Sequence, residues 1–188
     1  MVLFEEPFVD QRKFIRDWIP GPGMSVRQGL LEFSPDASES FCLGLTRRQD
    51  FRDFSLTVDV RLVCGAVGLA LRAVAPDQYY MVQFDIENDP SVVWFHTFTP
   101  TAGEGYRLER IQSAQVLRAG EWQRMRVLAQ GDTFDVFLGE VDGPLRHCAS
   151  WQDQDRTYHE GAVGLWEYGG EAGEYRNLRV ETLDTANP

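Results

Sequence analysis

Three acids fall within the five residues Asp85-Ile86-Glu87-Asn88-Asp89. Alternate side chains of an extended strand share a face, so this stretch predicts Asp85 and Glu87 side by side. Two carboxyls ~5 Å apart suit a nucleophile and an acid/base acting on a glycosidic bond, and ~6.5–9.5 Å suits an inverting pair with a water between them. Asp89 precedes Pro90, where a strand gives way to a turn. His96 is the imidazole nearest in sequence and titrates where a general base or proton shuttle is needed. Asp85, Glu87 and His96 are therefore the candidate catalytic residues. The plain alternative makes the two acids solvated or ligand-bonding groups and His96 polar lining.

The same alternation sorts neighbouring segments into faces. In Tyr80 to Glu87, Tyr80, Val82, Phe84 and Ile86 form an apolar side, leaving Met81, Gln83, Asp85 and Glu87 opposite. In Gly65 to Arg72, Val67, Leu69 and Leu71 turn inward, so Gly68, Ala70 and Arg72 turn outward as a shallow floor of small residues beside one guanidinium. In Val92 to Phe98 either set of alternate residues could face inward. The preferred choice buries Val93, Phe95 and Thr97 and presents Trp94 and His96. Val163 and Leu165 belong to the core, which sends Gly164, Trp166 and Tyr168 the other way. Aromatic rings stack on the apolar faces of pyranoses while amides, carboxylates and guanidinium groups bond hydroxyls. Arg72, Gln83, Trp94, Trp166 and Tyr168 are accordingly the candidate substrate-binding residues. As ordinary structure, Arg72 and Gln83 would be surface or ion-pair groups, and Trp166 and Tyr168 packing beneath a loop.

Such a surface needs strands to carry it. The dominant period is two, helical spacing is nearly absent, and turn residues interrupt the apolar runs at short intervals. Strands are predicted over Phe41 to Leu45, Phe54 to Val63, Ala66 to Ala73, Tyr79 to Glu87, Val92 to Phe98, Gly161 to Tyr168 and Tyr175 to Leu183. Hairpins are predicted about Gln28-Gly29 and Gln130-Gly131-Asp132. Tyr106 to Gln115 reads equally as strand or loop, and helical turns are expected only near Asp10 to Trp18 and Ser150 to Tyr158. So many short strands exceed one open sheet, so the expected fold is an all-β, two-sheet antiparallel β-sandwich. The 188 residues suit one domain, with a frayed tail from about 184.

A net charge of -11 with scattered arginines argues against a nucleic-acid partner. No apolar run approaches the ~20 residues of a membrane-spanning helix. The acidic start Met-Val-Leu-Phe-Glu-Glu-Pro-Phe is unlike a signal peptide. Cys42, Cys64 and Cys148 form no CxxC or metal spacing and read as thiols in a reducing compartment, so a cytoplasmic location is expected. His147 and His159 show no zinc spacing with each other or with His96. Neither a GxSxG elbow, a P-loop nor a dinucleotide fingerprint is present.

Several segments together resemble the concanavalin A-like, LamG-type jelly rolls, in particular bacterial 3-keto-disaccharide hydrolase-like domains and related carbohydrate-binding modules. The matching pieces are Phe51 to Val60, Gly65 to Arg72, Tyr79 to Asp85, Gly120-Glu121-Trp122, Gly161 to Leu165 and Tyr175 to Val180. The resemblance implies a jelly roll with a carbohydrate or sugar-like ligand on its concave sheet face, acting to hydrolyse a glycoside or sugar derivative. A non-catalytic sugar binder and a protein-interaction domain are the alternatives, and oligomeric state stays open. Where similar domains show Gln and His after the last Gly-Leu pair, this chain has Trp166 and Tyr168. Similar jelly rolls often hold calcium near the chain ends, where Glu5, Glu6, Asp10 and Asp184 are the available acids.

Overall fold

The computed structural model describes residues 1–33, 41–100 and 106–183. It opens with β1 (Val2–Glu6) and one short helix, α1 (Gln11–Asp17), followed by β2 (Trp18–Ile19). Asp10 caps the helix, its carboxylate accepting from the backbone N–H of Arg12 at 2.8 Å. Next come β3 (Met24–Arg27), β4 (Leu30–Phe33), β5 (Phe41–Thr46), β6 (Phe54–Cys64), β7 (Ala66–Ala75) and β8 (Gln78–Asp85). The chain continues through β9 (Val92–Phe98), β10 (Tyr106–Gln112), β11 (Trp122–Gln130), β12 (Thr133–Glu140), β13 (Arg146–Gln152), β14 (Ala162–Tyr168) and β15 (Ala172–Thr182). Gln28 and Gly29 both take positive φ, 51° and 80°, the geometry of a two-residue hairpin turn that matches strand twist.

These strands form two antiparallel sheets. The first runs β13-β12-β11-β6-β15-β4-β3, with β1 also paired to β15, and the second runs β10-β9-β8-β7-β14-β5-β2. The architecture is the expected jelly-roll β-sandwich. Period-two patterning dictates what lies between the layers. Leu56, Val58 and Val60 of β6, Val127 of β11 and Val136 of β12 meet Leu69 of β7, Val82 of β8, Phe95 of β9 and Leu165 of β14, all buried in one core. Burying each such side chain stabilises the fold by roughly 1.5–3 kcal/mol. Among the described residues no helix is long and apolar enough to cross a membrane.

One segment left open by the sequence is resolved, and two depart from the sequence expectations. Tyr106–Gln112 is an edge strand, and its mixed composition follows from having only one neighbour in the sheet. Ser150 to Tyr158 is not a helical turn: β13 runs through Gln152, and the residues after it are tied down by a buried hydroxyl. The Tyr80 hydroxyl donates to Asp153 Oδ2 at 2.6 Å and accepts from the Tyr158 N–H at 2.8 Å, while Thr157 N–H donates to the same carboxylate at 2.7 Å. Finally, β8 stops at Asp85, which moves Glu87 off the strand.

Candidate functional site

The second sheet has one face in the core and one turned away from it, and pairing register fixes which outward residues are neighbours. One row across the sheet reads Arg110 (β10), Trp94 (β9), Gln83 (β8), Gly68 (β7), Trp166 (β14) and Leu43 (β5). The adjacent row reads Leu108, His96, Met81, Ala70, Gly164 and Leu45, continuing to Ile19 of β2. The middle of this face is floored by Gly68, Ala70 and Gly164, which leaves space for large rings. A Cβ on Gly68 would stand 3.2 Å from the Trp166 ring and 3.2 Å from the Met81 sulfur, so the indole lies across the floor at that point.

Five of the eight expected site residues share this face: Gln83, Trp94, His96, Trp166 and Tyr168. Trp166 is 7% exposed and packs with Tyr79, Met81 and Leu45, while Tyr168, at the strand end, is half exposed with its ring 6.3 Å from that of Trp166. Asp85 ends β8 beside them, but its carboxylate is occupied by the turn that follows. It accepts from the backbone N–H groups of Glu87 at 3.1 Å and Asn88 at 2.9 Å, and from the Asn88 amide at 2.5 Å. Glu87 lies exposed in that turn rather than one strand step from Asp85, so the expected side-by-side carboxylate pair is not formed.

Arg72 corrects the face assignment outright. A bulge adds one residue to β7 against β14, between Ala70 and Ala73, and Arg72 takes φ 48°. The extra residue reverses the alternation, sending the guanidinium between the sheets. There it is 1% exposed, donates to the carbonyls of Arg52 (2.8 Å), Gly131 (2.5 Å) and Tyr158 (3.3 Å), contacts Asp53, and stacks 5.2 Å from the Phe134 ring centroid. It binds the sandwich together and takes no part in the outer face.

His96 is 8% exposed, with its ring stacked 5.8 Å from Phe98 and 5.4 Å from Tyr106. Burial lowers its pKa to about 4, so the imidazole is neutral at pH 7. Its Nε2 lies 3.2 Å from Gln83 Oε1, which assigns the proton to Nε2 and leaves the Nδ1 lone pair as an acceptor. That Nδ1 and the indole nitrogen of Trp94 are buried without a hydrogen-bond partner, whereas the Trp166 indole N–H has the buried Tyr79 hydroxyl as its acceptor. Buried polar groups in folded proteins are nearly always satisfied, so two neighbours on one strand face call for a partner with hydroxyls. Beside them the Arg110 guanidinium lies 4.3 Å above the Trp94 ring. Arg110, Tyr79 and Tyr106 escaped sequence reasoning. Tyr79 has the parity of Met81 and was within reach, whereas Arg110 and Tyr106 needed β10 to be recognised as a strand.

The acids expected for calcium are not gathered into a site. Glu6 accepts from the Phe8 N–H at 2.9 Å and from Lys13 at 2.7 Å, Asp10 caps α1, and Asp184 lies outside the described residues. Among the described residues no group of three His, Cys, Asp or Glu side chains is arranged to hold a metal ion.

This geometry can be set beside known proteins. The family model described as a 3-keto-alpha-glucoside-1,2-lyase-like domain matches residues 7–181. The chain belongs to that family. As a 3-keto-alpha-glucoside-1,2-lyase-like domain it is a carbohydrate-active jelly-roll protein. Comparison with curated protein sequences finds no match. Among solved structures, carbohydrate-binding module CBM66 from Bacillus subtilis superposes with a TM-score of 0.70 at 17% identity, covering 88% of this chain and 96% of that one. A legume lectin-like domain from Entamoeba histolytica gives 0.70 at 14% identity, with 96% of each chain covered. A putative glycosyl hydrolase from Parabacteroides distasonis ATCC 8503 gives 0.63 at 16% identity, covering 96% of this chain and all of that one (100%). These likenesses establish the shared fold.

Proposed function

We propose that the outward face of the second sheet binds a carbohydrate of about two sugar units, lying along the row from Trp94 to Trp166. The observation that carries this reading is the pair of buried, unpartnered atoms Trp94 Nε1 and His96 Nδ1, set among aromatic rings beside a floor of small residues that Trp166 crosses. Trp94 and Trp166 are three strand spacings apart, ~14 Å at ~4.8 Å each, which suits a disaccharide better than a single ring. One indole N–H donor and one imidazole acceptor match the mixed donor and acceptor character of sugar hydroxyls. Family membership and the sugar-binding module of the same fold support the same ligand class. A cytoplasmic setting, expected from the three thiols, is part of the proposal.

A second reading is catalytic, and one observation favours it. His96 Nδ1 is a neutral base with no partner on a face whose family name denotes elimination across C1 and C2 of a 3-keto glucoside. In that reaction a base removes the C2 proton, a C1–C2 double bond forms, and the C1 oxygen leaves with the electron pair of its bond. Hydrolysis by paired carboxylates has less support, because Asp85 is held by its turn and Glu87 points into solvent. Calorimetric titration with glucose, mannose and galactose disaccharides tests the first reading. Trp94→Ala and Trp166→Ala should each weaken the binding partner by at least tenfold, and wild-type affinity in both variants would overturn it. Turnover of a 3-keto glucoside that disappears in His96→Gln, with binding retained, would establish the second.

A further inference from the structure

The outward face does not end at Trp166. Beyond it the row partners turn wholly apolar: Leu43 opposes Trp166, Leu45 opposes Gly164, and Ile19 opposes Leu45. Here a cavity of about 220 Å³ opens, lined by Ile19, Leu43, Leu45, Ala73, Val74 and Pro76 with Gln49 and Ala75, and no charged side chain lines it. Leu45 and Ala73 belong at once to this cavity and to the cluster that packs Trp166, and Leu43 packs against that cluster, so cavity and sugar platform share a wall. Ile19 and Val74 at its rim are 46% and 47% exposed. A dry cavity of ~150 Å³ lined by aliphatic side chains is large enough to take benzene.

Resting on the sugar-binding reading, we infer that this cavity is a subsite for an apolar substituent, so that the ligand is a glycoside with an aryl or short alkyl aglycone rather than a purely hydrophilic saccharide. The two halves of such a molecule match the two halves of the face. Hydroxyls meet Trp94, Gln83 and His96, the pyranose ring lies against Trp166, and the apolar group leaves water for the space between β5, β2 and the end of β7. The cavity at the β11–β13 corner makes a contrast: its rim carries Arg118, Glu140 and Arg146, and it belongs to the other sheet. The apolar cavity adjoins the platform through Leu43, Leu45 and Ala73.

The experiment is a calorimetric comparison of methyl and phenyl glycosides of glucose, mannose and galactose, in both anomers, on the wild-type chain and on Val74→Asp. Val74 is exposed, so the substitution should leave the melting temperature and the methyl glycoside affinity unchanged. The expected result is a phenyl glycoside bound at least tenfold more tightly than its methyl partner by the wild type, with the advantage reduced to less than threefold in Val74→Asp. Ile19→Ser should reduce it in the same direction. Equal affinity for phenyl and methyl glycosides would overturn the subsite while leaving the sugar platform standing. A phenyl advantage untouched by both substitutions would overturn its location. Binding of neither glycoside to the wild type would overturn the platform and the subsite together, and phenol alone binding as tightly as phenyl glycoside would show a cavity uncoupled from sugar recognition.

Discussion

Glu167 sits on β14 between Trp166 and Tyr168, but its own side chain points into the sandwich and is fully buried. The Tyr175 hydroxyl donates to Oε1 at 3.0 Å across the gap between the sheets, and Oε2 has no partner. Burial, with Glu171 nearby adding repulsion, raises the carboxyl to about 8 from an ordinary 4.5. The acid is therefore neutral in the folded chain at pH 7 and ionised in the unfolded one. Because the folded value is the higher, the stability it contributes is complete below pH 4.5 and is lost as pH rises through 8. At ~1.4 kcal/mol per unit, the loss is roughly 1 kcal/mol at pH 5 and about 4 kcal/mol at pH 8. Glu167→Gln keeps the shape and the neutral acceptor for Tyr175 but does not ionise. Urea unfolding of both proteins from pH 5 to 8 should show the variant the more stable, with a gap widening by about 3 kcal/mol across that range. A gap that stays constant with pH, or a variant less stable at pH 8, would refute the assignment of a protonated acid at this position.

Gly68→Val places atoms where the Trp166 ring and the Met81 sulfur already lie, 3.2 Å from a Cβ, so overpacking should destabilise by about 1–3 kcal/mol and sugar affinity should fall with it. Unfolding midpoints and calorimetric titration of the same samples check both effects, and unchanged affinity would show that the floor does not hold the ligand. Asp85→Ala removes three hydrogen bonds from the turn after β8 and should cost about 1–2 kcal/mol by urea unfolding with sugar binding retained. Loss of turnover at undiminished stability would instead return Asp85 to the chemistry. Tyr80→Phe takes one donor from the buried Asp153 carboxylate, which keeps the Thr157 and Asp155 N–H groups and Arg107, and leaves the Tyr158 N–H without its acceptor, for a loss of roughly 2 kcal/mol and faster proteolysis in the segment after β13. Wild-type protection there would mean that the hydroxyl does not anchor the segment.

Much of the fold was legible because its signal is local. Alternation in Phe54–Cys64 and Trp122–Gln130 reports one apolar face per strand, and Phe54, Leu56, Val58, Val60 and Leu62 of the first with Met125, Val127 and Ala129 of the second lie in the core. The same rule puts Gln83 and Trp166 on the outer face, and of the two choices it leaves open in Val92 to Phe98 the preferred one, with Trp94 and His96 outward, is the one the register shows. It failed at Arg72, where a one-residue bulge against β14 inverts parity and no residue type announces it, since the positive φ falls on an arginine rather than a glycine. It failed at Glu87 because strand ends are set by turn hydrogen bonds, here those accepted by Asp85, which compete with continued pairing. Glu167 escaped for a different reason. It shares the parity of Val163 and Leu165, so alternation turns it inward, but only the opposite sheet supplies Tyr175 as the partner that holds a buried acid there.

The placement of the candidate site bears on whether it binds or catalyses. Its residues come from the middle strands β7, β8, β9 and β14, each hydrogen-bonded on both sides, and its rings are fixed by packing on one another: Tyr79 on Phe98 at 4.4 Å, Trp166 across Gly68, Arg110 over Trp94. Little side-chain freedom remains to be lost when a sugar docks, which favours affinity from stacking and a few hydroxyl contacts. Catalysis asks more of the same surface, since a leaving oxygen needs a proton donor or a charge to receive it. The carboxylate best placed by the strands, Asp85, already accepts three hydrogen bonds, and the imidazole gives its proton to Gln83. Among the described residues, what stays available is the Nδ1 lone pair of His96 and the Arg110 guanidinium, one row apart on neighbouring strands. That base and that cation are the groups on which the proposed elimination from a keto sugar draws.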